Sequence, residues 1–272
     1  MLTDTHAHLD YPEFQPDFAE VLGRAVAAGV TRMISIGTSI ESSRRAVALA
    51  ESDSRIFAVV GVHPSSVAEA GENVTAELAQ LARHPRVVAI GEAGLDYYRL
   101  PSQTGEPAGM TDTEYKAAQE QLFRQQLEVA AGAGLNLVVH QRGVGALRES
   151  LDIVQDYGGR VRVVFHCFGG SLEEARMITG LGHLVSFTGI VTFKNAPVVH
   201  ACVAGIRAEG FMVETDCPYL APVPHRGKRC EPSYTRLVAE RIAALRATTL
   251  EEVAARTTEN ADGFFRFYRG KG

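Results

Sequence analysis

Short runs of Val, Ile and Leu alternate along this chain with longer stretches whose apolar side chains recur at helical spacing. Consecutive apolar positions suit a strand buried on both faces, and strand-then-helix alternation is the mark of a parallel sheet. The pattern predicts strands at Leu2–Thr5, Arg32–Ile36, Ile56–Val60, Val87–Ile90, Leu135–Val139, Val161–Phe165, Leu184–Phe187 and Phe211–Val213. Helices are predicted at Asp17–Ala28, Ile40–Ser52, Thr113–Ala133, Gly145–Tyr157, Leu172–Thr179, Pro232–Ala247 and Leu250–Tyr268. Thr249 with Glu252 three positions on reads as a capping box for the last of them. Eight strands over 272 residues fit one domain, residues 1–272, folded as a (β/α)8 TIM barrel. The Pro- and Gly-rich stretch Leu100–Thr111 interrupts the alternation and reads as a lip beside the strand ends.

Polar residues fall at revealing places in this pattern. His6 and His8 close the first strand, His63 follows the third, Glu92 the fourth, His140 ends the fifth, His166 the sixth, and Asp216 follows the eighth. Each stands at the C-terminal end of an apolar run, where barrel enzymes place their chemistry. Residues i and i+2 of a strand point the same way about 6.6 Å apart, so His6 and His8 can converge on one ion. His84, His183 and His200 lie at helix ends or in loops and read as surface residues.

These ligands exceed what one four-coordinate ion with an open position requires, which argues for two divalent ions; mixed His and carboxylate donors suit Zn²⁺, Mn²⁺, Fe²⁺ or Ni²⁺, and Mg²⁺ less naturally given its oxygen preference. Two ions about 3.5–4 Å apart need a bridge. Lysine is confined to Lys116, Lys194, Lys228 and Lys271, none ending an apolar strand, so Glu92 is the bridging candidate. His6, His8 and Asp216 complete one site in this scheme, His140 and His166 the other. Such ions lower the pKa of a bound water toward about 7, and Asp216 is placed to accept its proton. The chemistry predicted is metal-assisted hydrolysis, with Asp216 and Glu92 as the catalytic carboxylates.

Composition narrows the partners. A formal net charge of -5 argues against gripping nucleic acid through a broad basic surface, so a polyanion has to be held locally. No apolar run approaches the roughly 20 residues of a membrane span. The opening MLTDTHAHLD lacks the basic-then-apolar layout of a secretory leader, and a cytoplasmic monomer is the default expectation. Cys167, Cys202, Cys217 and Cys230 form no C-x-x-C pair and read as free thiols.

The motifs resemble those of the TatD family of metal-dependent deoxyribonucleases. They are DTHAHLD (4–10), GVHP (61–64), IGEAGLDYYR (90–99), VVHQR (138–142), FHCFGG (165–170), SFTGIVTFKNA (186–196) and ETDCPYLAPVPHRGKRCEP (214–232), in order through nearly the whole chain. The resemblance implies a barrel with a dinuclear centre held by His6, His8, Glu92, His140, His166 and Asp216, and 3′–5′ exonuclease-like cleavage of DNA or another phosphodiester. It places His63 near the substrate and makes Lys194, His225, Arg226, Lys228 and Arg229 phosphate contacts, which suits a locally neutralised backbone. Gly143, Cys217 and Cys230 replace the family's usual Asp, Ser and Asn, and Gly169 its usual Ser. Because fold does not fix function, two other readings stand beside nuclease activity: hydrolysis of an amide, lactone or small ester at the same centre, and a non-catalytic, metal-stabilised binding protein.

Overall fold

The computed structural model describes residues 1–71 and 73–267. Strands β1 (Leu2–Ala7), β2 (Val30–Ile36), β3 (Ile56–Val60), β4 (Val87–Asp96), β5 (Asn136–Arg142), β6 (Val163–Phe165), β7 (Leu184–Phe187) and β8 (Phe211–Val213) form one eight-stranded sheet in chain order. Helices α1 (Phe18–Ala27), α2 (Ile40–Ser52), α3 (Thr75–Leu81), α4 (Pro101–Thr104), α5 (Asp112–Ala133), α6 (Ala146–Gln155), α7 (Leu172–Gly180), α8 (Pro197–Gly205), α9 (Thr235–Arg246) and α10 (Leu250–Phe265) alternate with them. This is the (β/α)8 barrel expected from the alternation of apolar runs. Among the described residues no helix is long and apolar enough to cross a membrane.

Two compact units divide the chain. One comprises Met1–Ser35, Leu49–Phe57 and Val164–Gly272, the other Ile36–Ala48 and Ala58–Val163. Within the first, β7 lies between β6 and β8, with Val164 opposite Leu184 and Val185 opposite Phe211. Just past β8, Cys217 pairs in parallel with Ala7, joining the last strand's exit to the first strand. Phe165, Phe187 and Phe211 are fully buried here, each contributing about 1.5–3 kcal/mol by leaving water. Asn260 of α10 donates to the carbonyls of Ala208 and Phe211, both at 2.7 Å, and so ties the last helix under β8. Within the second unit β4 lies between β3 and β5, its residues buried from Val87 to Leu95.

Helix starts follow local chemistry. Thr111 with Glu114 and Ser171 with Glu174 form complete capping boxes on α5 and α7, satisfying backbone N–H groups that a helix start leaves unpaired. At α10 only half of the expected box forms. Thr249 accepts from the Glu252 N–H, but the Glu252 carboxylate turns to the Thr248 hydroxyl.

Several strand predictions stop short of the structure: β1, β4 and β5 run on to Ala7, Asp96 and Arg142, because parallel pairing continues through their polar ends. Helices α3, α4 and α8 have no counterpart among the predicted helices. The predicted end of the last helix, Tyr268, lies outside the described residues. His183, expected at the surface, is buried. Leu100–Thr111 contains the short α4, whose Ser102 donates through N–H and hydroxyl to Asp112 at 2.8 and 2.7 Å.

Candidate metal centre

The first unit gathers His6, His8, His166, Glu214 and Asp216 at strand C-termini. Ligand-type atoms of His6, His8 and Asp216 lie within 4.8 Å of one another, as do those of His6, His166 and Glu214. Asp216 Oδ1 is 3.6 Å from His6 Nε2 and 3.3 Å from His8 Nε2. The imidazoles of His6 and His166 stack at 4.0 Å. Asp216 is turned inward by a left-handed backbone, φ 59°, a conformation that costs a non-glycine residue energy and is tolerated best by Asp and Asn.

Backbone rungs fix these side chains. The Asp216 N–H donates to the His6 carbonyl at 2.8 Å, and the His8 N–H to the Cys217 carbonyl at 2.8 Å. Beneath them the Asp4 carboxyl accepts from the Thr215 N–H (3.0 Å), the Thr215 hydroxyl (2.7 Å) and the His6 N–H (3.3 Å). Burial pushes the Asp4 pKa up to about 7 despite those hydrogen bonds. Burial pushes Asp216 upward too, but the His8 hydrogen bond and the His6, His8 and His166 charges outweigh it and hold this carboxylate below its ordinary range.

Glu214 is absent from the ligand set expected on sequence. Buried to 1% exposure, it accepts from the Cys167 N–H at 2.7 Å and the Ser186 hydroxyl at 2.5 Å, and its Oε1 faces His166 Nδ1 at 3.6 Å. Cys167 itself has φ 48°. Glu214 therefore holds the turn that presents His166. Glu214→Ala removes the acceptor shared by the Cys167 N–H and the buried Ser186 hydroxyl and is expected to cost about 3 kcal/mol in urea unfolding. Glu214→Gln should cost clearly less, since its amide can accept from Cys167 and donate to Ser186; equal losses would contradict this role.

The second unit holds another cluster, His63, Glu92 and His140, again with ligand-type atoms within 4.8 Å. Glu92 Oε1 is 2.7 Å from His140 Nδ1 and 3.6 Å from His63 Nε2, and His140 Nε2 is 3.1 Å from Asp96 Oδ2. His63 Nδ1 accepts the Ser65 N–H at 3.1 Å, which leaves Nε2 to face Glu92. Burial raises the Asp96 pKa, but the His140 hydrogen bond and charge bring it below the ordinary carboxylate range.

Two buried glutamines of α5 anchor this cluster. Gln126 accepts from the Val62 N–H at 2.9 Å and donates to the Val62 carbonyl at 2.8 Å; Gln119 does the same for Asp96 at 2.8 and 3.0 Å. Two helical turns apart, they share one face of the helix.

The residues named from sequence thus fall into two groups. His6, His8, His166 and Asp216 stand together in the first unit, while His63, Glu92 and His140 stand together in the second. His166, grouped with His140 on sequence, has Glu214 and His6 for neighbours. Sequence reasoning misses Glu214 and Asp96. The same i, i+2 rule that pairs His6 with His8 pairs Glu214 with Asp216, whereas Asp96 ends β4 only because that strand runs past its apolar run. Lys194, Arg226 and Lys228 are exposed on the segments after β7 and β8. Arg226 lies over the Phe193 ring at 4.0 Å and His225 stacks on Tyr234 at 4.4 Å. Arg229 is engaged within the fold, donating to Asp17 Oδ1 and Oδ2 at 2.7 Å each and to the Glu13 carbonyl at 2.6 Å. The four cysteines are free; burial pushes the Cys217 and Cys230 thiols up, which makes them poor nucleophiles.

A family model described as TatD related DNase matches residues 3–266. The chain belongs to the TatD-related DNase family. Among its relatives is the metal-dependent hydrolase YabD of Bacillus subtilis, 39% identical over 98% of this chain and 99% of that protein. The 3′-5′ ssDNA/RNA exonuclease TatD of Enterobacter lignolyticus is 32% identical over 96% of this chain and 98% of its own. The crystal structure of YJJV, a TatD homologue from Escherichia coli, superposes with a TM-score of 0.87 at 28% identity, covering 97% of this chain and 98% of that one. This TatD-family protein is accordingly a metal-dependent hydrolase, and both histidine–carboxylate clusters carry donor sets suited to divalent metal.

Proposed function

We propose that this protein is a phosphodiesterase that removes nucleotides from the 3′ end of single-stranded or frayed DNA, using two divalent ions, one in each cluster. The observation that carries this reading is the exposure of Lys194, Arg226 and Lys228 on segments of the unit that contains His6, His8 and Asp216. In a chain of net charge -5, cations gathered on the segments that follow β7 and β8 suit a phosphate held at one point. The relative named as a 3′-5′ exonuclease supports the same reading.

In this reading His6, His8, Asp216 and His166 hold one ion and His63, Glu92 and His140 the other. When bound, such ions acidify water and polarise a phosphoryl oxygen. Nitrogen-rich donor sets suit Mn²⁺ or Zn²⁺ better than Mg²⁺. Asp216, kept ionised at neutral pH, accepts the proton from the attacking water while the bond between phosphorus and the 3′ oxygen of the preceding nucleotide breaks and that oxygen takes a proton from solvent. Arg226 and Lys194 hold the non-bridging phosphate oxygens.

A 5′-labelled oligonucleotide incubated with protein and Mn²⁺ is expected to shorten stepwise from its 3′ end, to stop shortening with chelator, and to resume on Mn²⁺ addition. Metal-replete protein that leaves the oligonucleotide intact while hydrolysing lactones or amides would overturn the reading.

A further inference from the structure

We infer that Tyr219, with Tyr11 behind it, is a stacking shelf for the base of the nucleotide being released, an inference that rests on the nuclease reading. Each tyrosine is tied by a turn to a candidate ligand. The Tyr11 N–H donates to the His8 carbonyl at 3.2 Å, and the Tyr219 N–H to the Asp216 carbonyl at 3.0 Å. The Tyr11 ring stacks on the His8 imidazole, centroids 4.8 Å apart and planes 20° apart. Tyr219 stands nearly upright against both, 6.3 Å and 83° from Tyr11, 6.4 Å and 68° from His8. The three rings make a corner with one wall at the metal cluster.

The outer wall is open. Tyr219 is 52% exposed, although an aromatic ring ordinarily gains by burial. Within the same unit, Arg226 and Lys194 offer cations on neighbouring segments. A planar base laid on Tyr219 belongs to a nucleotide whose phosphate reaches the His8 and Asp216 end of the corner. Every base has a π-face, so this recognition is indifferent to sequence, as an enzyme working along a strand requires. A lactone or simple alkyl phosphate ester has no aromatic face to place there. Tyr219 is thus a specificity-determining residue, acting on binding of the end nucleotide.

The test compares wild type, Tyr219→Ala and Tyr219→Phe on an oligonucleotide with a normal 3′ nucleotide and on the same oligonucleotide with an abasic one. Tyr219→Ala is expected to raise KM on the normal end by about tenfold to a hundredfold, the range measured for base–aromatic stacking, with kcat less affected. Tyr219→Phe should restore the wild-type KM, and on the abasic end the difference between Tyr219→Ala and wild type should vanish. Independently, a 3′-terminal 2-aminopurine joined through a cleavage-resistant phosphorothioate should lose fluorescence on binding to Zn²⁺-loaded wild type and not to Tyr219→Ala. Cleavage by wild type with an unchanged KM in Tyr219→Ala, or an equal loss on the abasic end, overturns the shelf alone. Wild type that neither cleaves nor binds the oligonucleotide overturns the nuclease reading, and the shelf with it.

Discussion

Asp216→Asn should lower kcat on a 3′-end oligonucleotide substrate by about a thousandfold, within the range typical of losing an acid–base group, while the protein keeps a cooperative unfolding transition. The fold is spared because the rung at this position uses the Asp216 N–H, not its side chain, and because Asn accepts a φ of 59° as readily as Asp. What disappears is the charge facing His6 and His8 at 3.6 and 3.3 Å. Metal content measured by mass spectrometry should fall together with activity, since an amide is a far poorer ligand than a carboxylate. A variant within tenfold of wild type would remove Asp216 from the chemistry.

Gly94→Ala is expected to be among the most destabilising single substitutions in the second unit, at about 3 kcal/mol or more in urea unfolding. A Cβ at this position would lie 2.0 Å from the His140 carbonyl oxygen, and φ is 142°, outside the range of L side chains. Gly94 pairs with His140 across β4 and β5, so relief of the clash must displace that histidine. Loss of metal from the second cluster should accompany the loss of stability. Gly105→Ala is the comparison: it has φ 76° but nothing within 4 Å, and should cost only the backbone penalty of about 1–2 kcal/mol. Equal effects at the two positions would show that close packing of β4 on β5 is not what demands glycine.

The barrel is legible in the chain because strands buried on both faces write themselves as uninterrupted apolar runs; β3, β7 and β8 begin and end where the runs do. The strands that continue into the site are cut short for the opposite reason. In β4 the segment Gly91–Asp96 reads as a loop by composition, yet it pairs with β5 through to Asp96 and Arg142, since glycines let the two backbones approach closely. Histidines at strand ends stand out because few other roles place them there. Glu214 does not, since its work is hydrogen bonding to Cys167 and Ser186, partners far away in sequence. Arg229 shows the converse: it looks like a phosphate contact within a basic run, but its partner Asp17 lies on a distant segment that no local pattern links to it.

Gln119 and Gln126 carry a consequence for how the second cluster tolerates change. Each amide answers both the N–H and the carbonyl of a single residue, Asp96 or Val62, as a neighbouring peptide group would. The helix thereby lends the sheet two side-chain rungs, one at the last residue of β4 and one just past the end of β3. Neither rung survives a charge: glutamate cannot donate and lysine cannot accept. The segments bearing His63 and Asp96 are therefore governed by a buried helix face, and drift on that face would loosen the cluster without altering a single ligand.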